Sequence, residues 1–318
     1  MYIIHSKDFF NLLILNYSLN QHIHIQFSPQ SLFILNVCIA VIMFGVALSV
    51  KREHFITLRH QKKSILTGLL SQFMLLPFLT YILILILKPS TGLALGMLLV
   101  AACPGGNVSN FFTMLSRGNT ALSISLTAFS SLSAFVLTPA NFFLYAGLLP
   151  DAKDFVQKLD IGFLDLFINM LGILILPLIA GMMLNHYYPK WTERIAKPMR
   201  ILSILLLMGF IVVAIINNGE AFQNFFHLVF WLVFIHNAVV LISAYAFSNA
   251  LRNNSKTNRT VAVETGIQNS GLGLVLIFTF FRGDGEMALI TAWWGVWHLV
   301  AGFIFAGLIR KLRPEPAI

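Results

Sequence analysis

The sequence predicts an all-α polytopic membrane protein whose nine transmembrane helices form an inverted five-helix repeat lacking the first helix. Three observations support this fold class: long apolar runs, a shortage of charged residues, and basic residues that alternate along the loops. Of the 318 residues, 58% are hydrophobic and only 10% are charged, whereas a soluble domain carries about 25% charged residues. Most of the protein surface is therefore expected to face a lipid bilayer.

Nine runs along the chain are long enough to be transmembrane helices, which need about 20 predominantly apolar residues. They cover residues 30–50, 65–87, 91–116, 120–149, 161–185, 199–217, 222–250, 260–282 and 286–309. Residues 1–29 contain an apolar patch that is too short to span, and no signal-peptide cleavage site follows it. We interpret 1–29 as an N-terminal lead-in or a vestigial helix, and 310–318 as a cytoplasmic tail.

The basic residues predict the orientation of the chain in the membrane. With the N-terminus outside, 16 of the 21 Lys and Arg residues fall in cytoplasmic segments and five fall in outer segments. Basic residues accumulate on the cytoplasmic side of membrane proteins, so this split favours an outer N-terminus and a cytoplasmic C-terminus in the cell membrane. The net charge of +9 arises from these loops and does not indicate nucleic-acid binding, which requires a water-exposed basic face.

The third and eighth runs are interrupted at their centres by glycines and polar residues. The third reads Cys103-Pro104-Gly105-Gly106-Asn107-Val108-Ser109-Asn110, and the eighth reads Glu264-Thr265-Gly266-Ile267-Gln268-Asn269-Ser270-Gly271. The runs are five spans apart, so they enter the membrane from opposite sides. Matching interruptions in opposite orientation indicate an inverted repeat with discontinuous helices, which in transporters form the binding site. A packing kink is the alternative interpretation of a single break.

Glu264 is the carboxylate that the predicted spans place near the middle of the membrane. A charge at that depth costs about 2.5–3.5 kcal/mol on insertion scales, and no Lys or Arg lies at a similar depth in any run. The carboxylate is therefore expected to be protonated or bound to a cation. Neutral oxygen ligands occur on the same and neighbouring runs: Gln72, Ser109, Asn110, Ser123, Thr127, Ser130, Ser131, Gln268 and Asn269. Hard cations prefer such oxygens, and sodium fits the set, although hydroxyls also bind carbonyls of their own helix.

These motifs resemble those of the bile acid:sodium symporter (BASS) family. The residues that carry the resemblance are Cys103-Pro104-Gly105-Gly106 with Ser109-Asn110, Arg117-Gly118-Asn119, Leu122-Ser123, Thr138-Pro139, Glu264-Thr265-Gly266-Ile267-Gln268-Asn269-Ser270 and Trp297-His298. The resemblance extends over nearly the whole chain. It implies two crossing discontinuous helices, a core domain of residues 65–149 and 222–309, and a panel domain of residues 30–50 and 161–217.

The resemblance also implies two sodium sites that share one carboxylate, and a substrate site beside them. The first sodium site would use Ser109, Asn110, Ser123, Thr127 and Glu264. The second would use Gln72, Glu264, Gln268 and the backbone carbonyls of Thr265 and Ile267. The substrate would lie near Asn107, Val108, Asn269 and His298. It would be an organic anion, either a bile acid or a smaller carboxylate or sulfonate such as pantoate.

We therefore predict a sodium-coupled symporter that takes up an organic anion by alternating access. Proton coupling through Glu264 is one alternative, and export of a small oxyanion is another, with Cys103 as the single thiol in position. An enzyme is disfavoured because one carboxylate and one histidine at this depth form neither an acid/base pair nor a metal cluster. A non-transporting receptor is the remaining alternative, and it would bind the anion without accumulating it.

Overall fold

The computed structural model describes residues 61–106, 108–158, 162–217 and 219–312, with six further positions between Val37 and Leu48. The secondary-structure elements of the four ranges are all helices. In chain order they are α1 (Lys62–Leu87), α2 (Thr91–Ala102), α3 (Val108–Leu115), α4 (Thr120–Gly147), α5 (Pro150–Lys158), α6 (Phe163–Met170, Leu171–Ile175 and Leu176–Tyr187), α7 (Pro189–Asn217), α8 (Gly219–Ala250), α9 (Ser255–Gly266), α10 (Ser270–Phe280) and α11 (Gly285–Leu312).

Four of these helices are long and apolar enough to cross a membrane, namely α1, α4, the Phe226–Ala250 part of α8, and α11. Helices α2 and α10 are shorter apolar helices, as expected for halves of interrupted spans. The fold is thus that of a multi-pass α-helical membrane protein. The lead-in 1–29 and nearly all of the first predicted span, 30–50, lie outside the described residues. The count of nine spans and the division into core and panel stay predictions.

Two helices begin five or more residues earlier than the apolar runs predicted. Helix α7 begins at Pro189 rather than 199, because proline fits the first helical turn and the charged residues that follow are good helix formers. Helix α9 begins at Ser255 rather than 260. Its N-cap is Asn254, whose side chain accepts a hydrogen bond from the Thr257 amide at 2.8 Å. Hydropathy marks the apolar part of a helix, so it misses polar turns beyond the membrane.

The interior of the molecule is built around the two short apolar helices. Every residue of α2 from Gly92 to Ala102 is buried, and so is every residue of α10 from Ser270 to Phe278. A helix that is apolar on all sides is covered by protein or by lipid, and here residues of α4, α8 and α11 pack around both helices. The short α5, in a segment predicted to be an outer loop, adds Ala152 and Val156 to the same cluster.

Charged side chains make hydrogen bonds at both ends of the bundle. At one end, the guanidinium groups of Arg259 and Arg310 donate hydrogen bonds to carbonyls at the C-terminus of α3. At the end where α2 begins, Ser90 donates a hydrogen bond of 2.6 Å to Glu286. Basic groups that the sequence assigns to the same side of the membrane therefore lie together. Which side of the membrane they face stays a prediction from the distribution of charge.

Candidate functional site

The third and eighth runs are both broken helices, and their unwound segments lie against each other. The chain leaves helical geometry between α2 and α3 and again between α9 and α10, and the two segments pair in antiparallel fashion. The Gly106 amide donates to the Ile267 carbonyl at 2.8 Å, and the Asn269 amide donates to the Pro104 carbonyl at 2.9 Å. Each break thus provides hydrogen-bond partners for the other, which lipid could not do.

Local sequence explains why the first helix breaks where it does. Pro104 has no backbone donor and its ring excludes a continuous helix. A Cβ atom on Gly105 would lie 2.8 Å from Nε2 of Gln72 and 3.0 Å from Oε2 of Glu264, distances that real Cβ atoms reach rarely or not at all. A Cβ atom on Gly106 would lie 2.9 Å from a backbone oxygen of the opposite break. The glycines therefore let the two breaks and the surrounding polar side chains approach closely.

The last carbonyl of each first half-helix is bound by a side chain of a continuous neighbouring helix. At the end of α2, the Ala102 carbonyl accepts a hydrogen bond of 2.8 Å from the Thr138 hydroxyl on α4. At the end of α9, the Gly266 carbonyl accepts one of 2.7 Å from the Asn237 amide on α8. Both donors are fully buried. These contacts satisfy carbonyls that a helix end leaves without partners.

Five of the predicted sodium ligands meet where the two breaks lie against each other, a place that we call the crossing. Glu264 is 1% exposed, and its Oε1 accepts hydrogen bonds from Ser109 at 2.6 Å and from Ser123. The Thr127 hydroxyl lies 3.0 Å from Oε2 of the same carboxylate and 3.5 Å from Oδ1 of Asn110. The last turn of α9, the first turn of α3 and one face of α4 therefore converge on a single carboxylate.

The sequence did not point to one hydroxyl group that lies near this carboxylate, and it suggested another that binds its own helix instead. Thr113, one turn after Ser109 on α3, is fully buried and hydrogen-bonded with Ser123 at 3.1 Å; its spacing from Ser109 was the available signal. Ser130, in contrast, donates to the Thr127 carbonyl within its own helix at 3.1 Å. The polar stripe of α4 thus has a part that faces the carboxylate and a part that satisfies the helix itself.

The residues of the predicted second sodium site also lie at the crossing. The Gln268 amide donates to the Thr265 carbonyl at 2.8 Å, and the Ile267 carbonyl accepts the hydrogen bond from the opposite break. Within the described ranges, the side-chain amide of Gln72 and the Oε1 atom of Gln268 are buried without hydrogen-bond partners. Unpaired buried amide oxygens are costly, and they are suitable ligands for a hard cation.

A widened helical turn positions Gln72 within α1. Residues Ser71–Leu75 form a π-helical turn, and Pro77 follows two residues later. Proline lacks an amide hydrogen and its ring clashes with the carbonyl four residues earlier, which explains why the turn widens. The same spacing occurs in α6, where the π turn Leu171–Ile175 precedes Pro177 by two residues. Turns of this kind occur frequently at functional sites.

The predicted substrate residues are only partly brought together. Asn107 lies outside the described residues. Val108 packs against the apolar cluster between α3 and α9, and Asn269 caps α10 by accepting a hydrogen bond from the Leu272 amide at 3.1 Å. His298 on α11 is 4% exposed and its Nδ1 atom has no partner among the described residues. It makes no hydrogen bond to Val108 or Asn269 there, so the substrate site stays a prediction.

Two adjacent polar residues of α8 were not selected from the sequence. Within the apolar run 222–250, Nε2 of His236 lies 2.7 Å from the Thr80 hydroxyl, and its ring packs 4.7 Å from that of Trp294. The neighbouring Asn237 binds the end of α9, as described above. Two consecutive polar residues inside an apolar run were the available signal. In the described part of the chain, no three His, Cys, Asp or Glu side chains are close enough to hold a metal ion.

Comparisons with known proteins agree on one kind of protein. A family model described as the Sodium Bile acid symporter family matches residues 36–225. The chain is 29% identical over 285 residues to "Uncharacterized sodium-dependent transporter YocS" of Bacillus subtilis (strain 168), which covers 88% of this chain and 85% of that protein. It is 30% identical over 283 residues to "Probable sodium/metabolite cotransporter BASS1, chloroplastic" of Arabidopsis thaliana. That alignment covers 88% of this chain and 67% of the relative. It is 25% identical over 279 residues to "Sodium-dependent organic anion transporter" of Homo sapiens. That alignment covers 87% of this chain and 72% of the relative.

Proposed function

Since the chain belongs to the Sodium Bile acid symporter family, we propose that it is a secondary active transporter that carries sodium ions and an organic anion together across the membrane by alternating access. The match confirms the family that the motifs predicted. The relatives are sodium-dependent transporters and cotransporters, which confirms the prediction of a transporter rather than an enzyme. The number of ions, the anion and the mechanism are the proposed parts.

The hydrogen-bond shell of Glu264 is the observation that carries the proposal. Its carboxylate is buried at the crossing, and the hydrogen bonds that it makes to the described residues come from hydroxyl groups. A carboxylate in the middle of a membrane needs a proton or a cation to offset its charge. Hydroxyl groups donate their hydrogen to a carboxylate and keep lone pairs for a metal ion. The site is therefore suited to binding sodium beside the carboxylate.

The first sodium ion is proposed to bind where α3, α4 and α9 meet. Its ligands would be the carboxylate and the four neutral side chains that surround it: Ser109, Asn110, Ser123, Thr127 and Glu264. All of these ligands are oxygen atoms, which is the ligand type that hard cations prefer. Because three helices contribute to the shell, binding of the ion would hold the two breaks together.

The second ion is proposed to bind on the other side of the shared carboxylate, between α1 and the end of α9. Gln72 and Gln268 offer amide oxygens, and Thr265 and Ile267 offer backbone carbonyls. Each of these carbonyls already accepts one hydrogen bond, but a carbonyl oxygen has a second lone pair that can bind a cation. The closeness of Gln72 and Glu264 to Gly105 supports a shared site.

The organic anion is proposed to bind beside the crossing, near Asn107, Val108, Asn269 and His298. Helices α3 and α10 begin there, and amides at a helix N-terminus favour negative charge. Two sodium ions and one monoanion together carry one net positive charge. The proposed orientation places the N-terminus outside and the C-terminus in the cytoplasm. Moving that charge inward through 100 mV contributes about 2.3 kcal/mol, which corresponds to about 50-fold accumulation.

Replacement of Glu264 by Gln is the direct test. The variant keeps the size of the side chain and removes the charge, so sodium-driven uptake of taurocholate or pantoate into proteoliposomes is expected to be lost. Glu286→Gln is the matched control, because this carboxylate lies at the start of α11 and binds Ser90, away from the crossing. Sodium-driven uptake by the control is expected to persist.

Two results of uptake measurements would contradict the proposed sodium coupling. One is unchanged sodium-driven uptake by the Glu264→Gln variant. The other is uptake by the unaltered protein that is driven by a pH gradient in sodium-free buffer and is insensitive to added sodium, which would assign Glu264 to proton coupling instead. Binding of the anion without accumulation would indicate a receptor.

A further inference from the structure

Asn237 differs from the other buried polar residues of α8 in what it binds. Its side-chain amide donates to the carbonyl of Gly266, the last residue of α9. The flanking residues, Thr265 and Ile267, supply the two carbonyls of the proposed second sodium site. Consecutive peptide units share an α-carbon, so a hydrogen bond that fixes one unit restricts the orientation of its neighbours. The carbonyl that Asn237 binds therefore lies between these two carbonyls along the chain.

The contact between α8 and the end of α9 is tight on its apolar side as well. Leu241, one turn after Asn237, packs closely against Gly266. A Cβ atom added to Gly266 would lie 2.4 Å from the Cδ2 atom of Leu241. Asn237 itself is fully buried. The end of α9 is thus held between a hydrogen bond and a close apolar contact, both from the same helix.

A second contact fixes α8 relative to α1, the helix that carries Gln72. His236, adjacent to Asn237, lies 2.7 Å from the hydroxyl of Thr80 on α1, and its ring packs against Trp294 on α11. Thr80 follows Gln72 by two helical turns. Consecutive residues of α8 therefore contact both elements that would enclose the second ion, the side-chain ligand on α1 and the carbonyl ligands at the end of α9.

From these contacts we infer that Asn237 is a positioning residue for the second sodium ion, holding the Gly266 carbonyl so that the carbonyls on either side keep the arrangement that binds the cation. The inference rests on the proposed sodium coupling and adds a residue to it. The inference assigns this role to Asn237 and not to Thr138, although Thr138 makes the same kind of hydrogen bond at the end of α2. No predicted sodium ligand lies beside Ala102, the residue whose carbonyl Thr138 binds.

Replacement of Asn237 by Leu tests the inference, because leucine has a similar size and cannot donate a hydrogen bond. The measurement is the sodium dependence of uptake at a fixed anion concentration, as the half-saturating concentration and the Hill coefficient. Loss of one buried hydrogen bond is expected to raise the half-saturating concentration about five- to tenfold. The Hill coefficient is expected to fall from about two toward one, since only the second ion is weakened.

Thr138→Val is the matched control. It removes an equivalent buried hydrogen bond, so it is expected to lower the melting temperature of the purified protein by a similar amount. Its half-saturating sodium concentration and Hill coefficient are expected to stay at the values of the unaltered protein. If the Leu variant at Asn237 does not fold, Asn237→Ala provides the second measurement, because alanine is smaller than asparagine, adds no charge and also lacks the donor.

The outcomes separate this inference from the proposed function. If the unaltered protein shows no sodium dependence, the proposed function itself is wrong. If the unaltered protein is sodium-dependent and the Asn237 variants keep its sodium curve, Asn237 is a structural cap and the inference is wrong. The same conclusion holds if the Thr138 and Asn237 variants change the sodium curve equally, because a common loss of stability would explain both.

Discussion

At the scale of single residues, Gly105 shows how closely the crossing is packed. Its missing side chain leaves room for the amide of Gln72 and the carboxylate of Glu264, whose nearest atoms would lie 2.8 Å and 3.0 Å from a Cβ atom at this position. Both neighbours are proposed sodium ligands. A single methyl group at Gly105 would therefore displace the ligands without removing either of them.

We expect Gly105→Ala to weaken sodium binding strongly while leaving the protein folded. The added Cβ must push the Gln72 amide or the Glu264 carboxylate out of place, and ion binding depends on ligand positions to within a few tenths of an ångström. The measurement is the half-saturating sodium concentration for uptake, which is expected to rise at least about tenfold. Gly147→Ala is the control, since a Cβ atom there would meet nothing within 4 Å. A normal sodium response of the Gly105 variant would contradict the close packing.

At the scale of elements, α3 depends on its C-terminal contacts because it has only eight residues. Arg117 adopts left-handed geometry with φ of 56°, and the Gly118 amide returns to the Thr113 carbonyl at 2.8 Å, which ends the helix in the manner of a Schellman motif. Arg259 and Arg310 then donate to the remaining carbonyls. Positive charge at a helix C-terminus is favourable, so these guanidinium groups stabilise the half-helix that carries Ser109.

Arg259→Leu is accordingly expected to destabilise the protein. Arg259 is 8% exposed, and its guanidinium group donates to two carbonyls at 3.2 Å and 3.4 Å. Loss of hydrogen bonds from a charged donor lowers the free energy of unfolding by about 1.5–3 kcal/mol. Because both bonds are long, we expect a loss near the lower value. The measurement is the melting temperature of the purified protein. Lys256→Leu is the control, because Lys256 is exposed on the same helix, and a larger loss for this control would refute the argument.

The elements also show what the sequence can and cannot predict. Both helix breaks were predictable, because proline and glycine act through backbone geometry that is independent of distant contacts. The π turn that contains Gln72 was not, because Pro77 alone predicts either a kink or a widened turn. Helix α5 was missed because it is polar and its burial depends on contacts distant in sequence. The capping of α9 by Asn237 depends on tertiary packing in the same way.

At the scale of the whole molecule, sodium is expected to stabilise the protein. An ion that binds only the assembled crossing shifts the folding equilibrium toward the folded state, by about 2.7 kcal/mol per site at 100 times the dissociation constant. Sodium chloride should therefore raise the melting temperature more than equal concentrations of potassium or choline chloride. The Glu264→Gln variant should lose this difference. Equal stabilisation by all three salts would indicate a general salt effect and contradict the proposed sites.

At the same scale, the all-helical fold class and the two helix breaks were predicted from the sequence better than the substrate site was. Burial of Glu264 among polar side chains could be predicted because a buried charge has few physical solutions, and the structure brings the hydroxyl groups of Ser109, Ser123 and Thr127 to it. The substrate residues could not be tested in this way, since Asn107 lies outside the described ranges and His298 makes no hydrogen bond to Asn269 there. An anion is recognised by shape as well as charge, and shape is not encoded in a short motif.

The antiparallel pairing of the two breaks has a consequence for biosynthesis. Membrane helices are inserted in order as the ribosome releases them, so α2 and α3 enter the bilayer long before α9 and α10 exist. During that interval the Gly106 amide and the Pro104 carbonyl lack the partners that they have in the finished protein, and such groups are costly in hydrocarbon. The first break is thus expected to stay loosely assembled until α9 and α10 are synthesised and supply its hydrogen-bond partners.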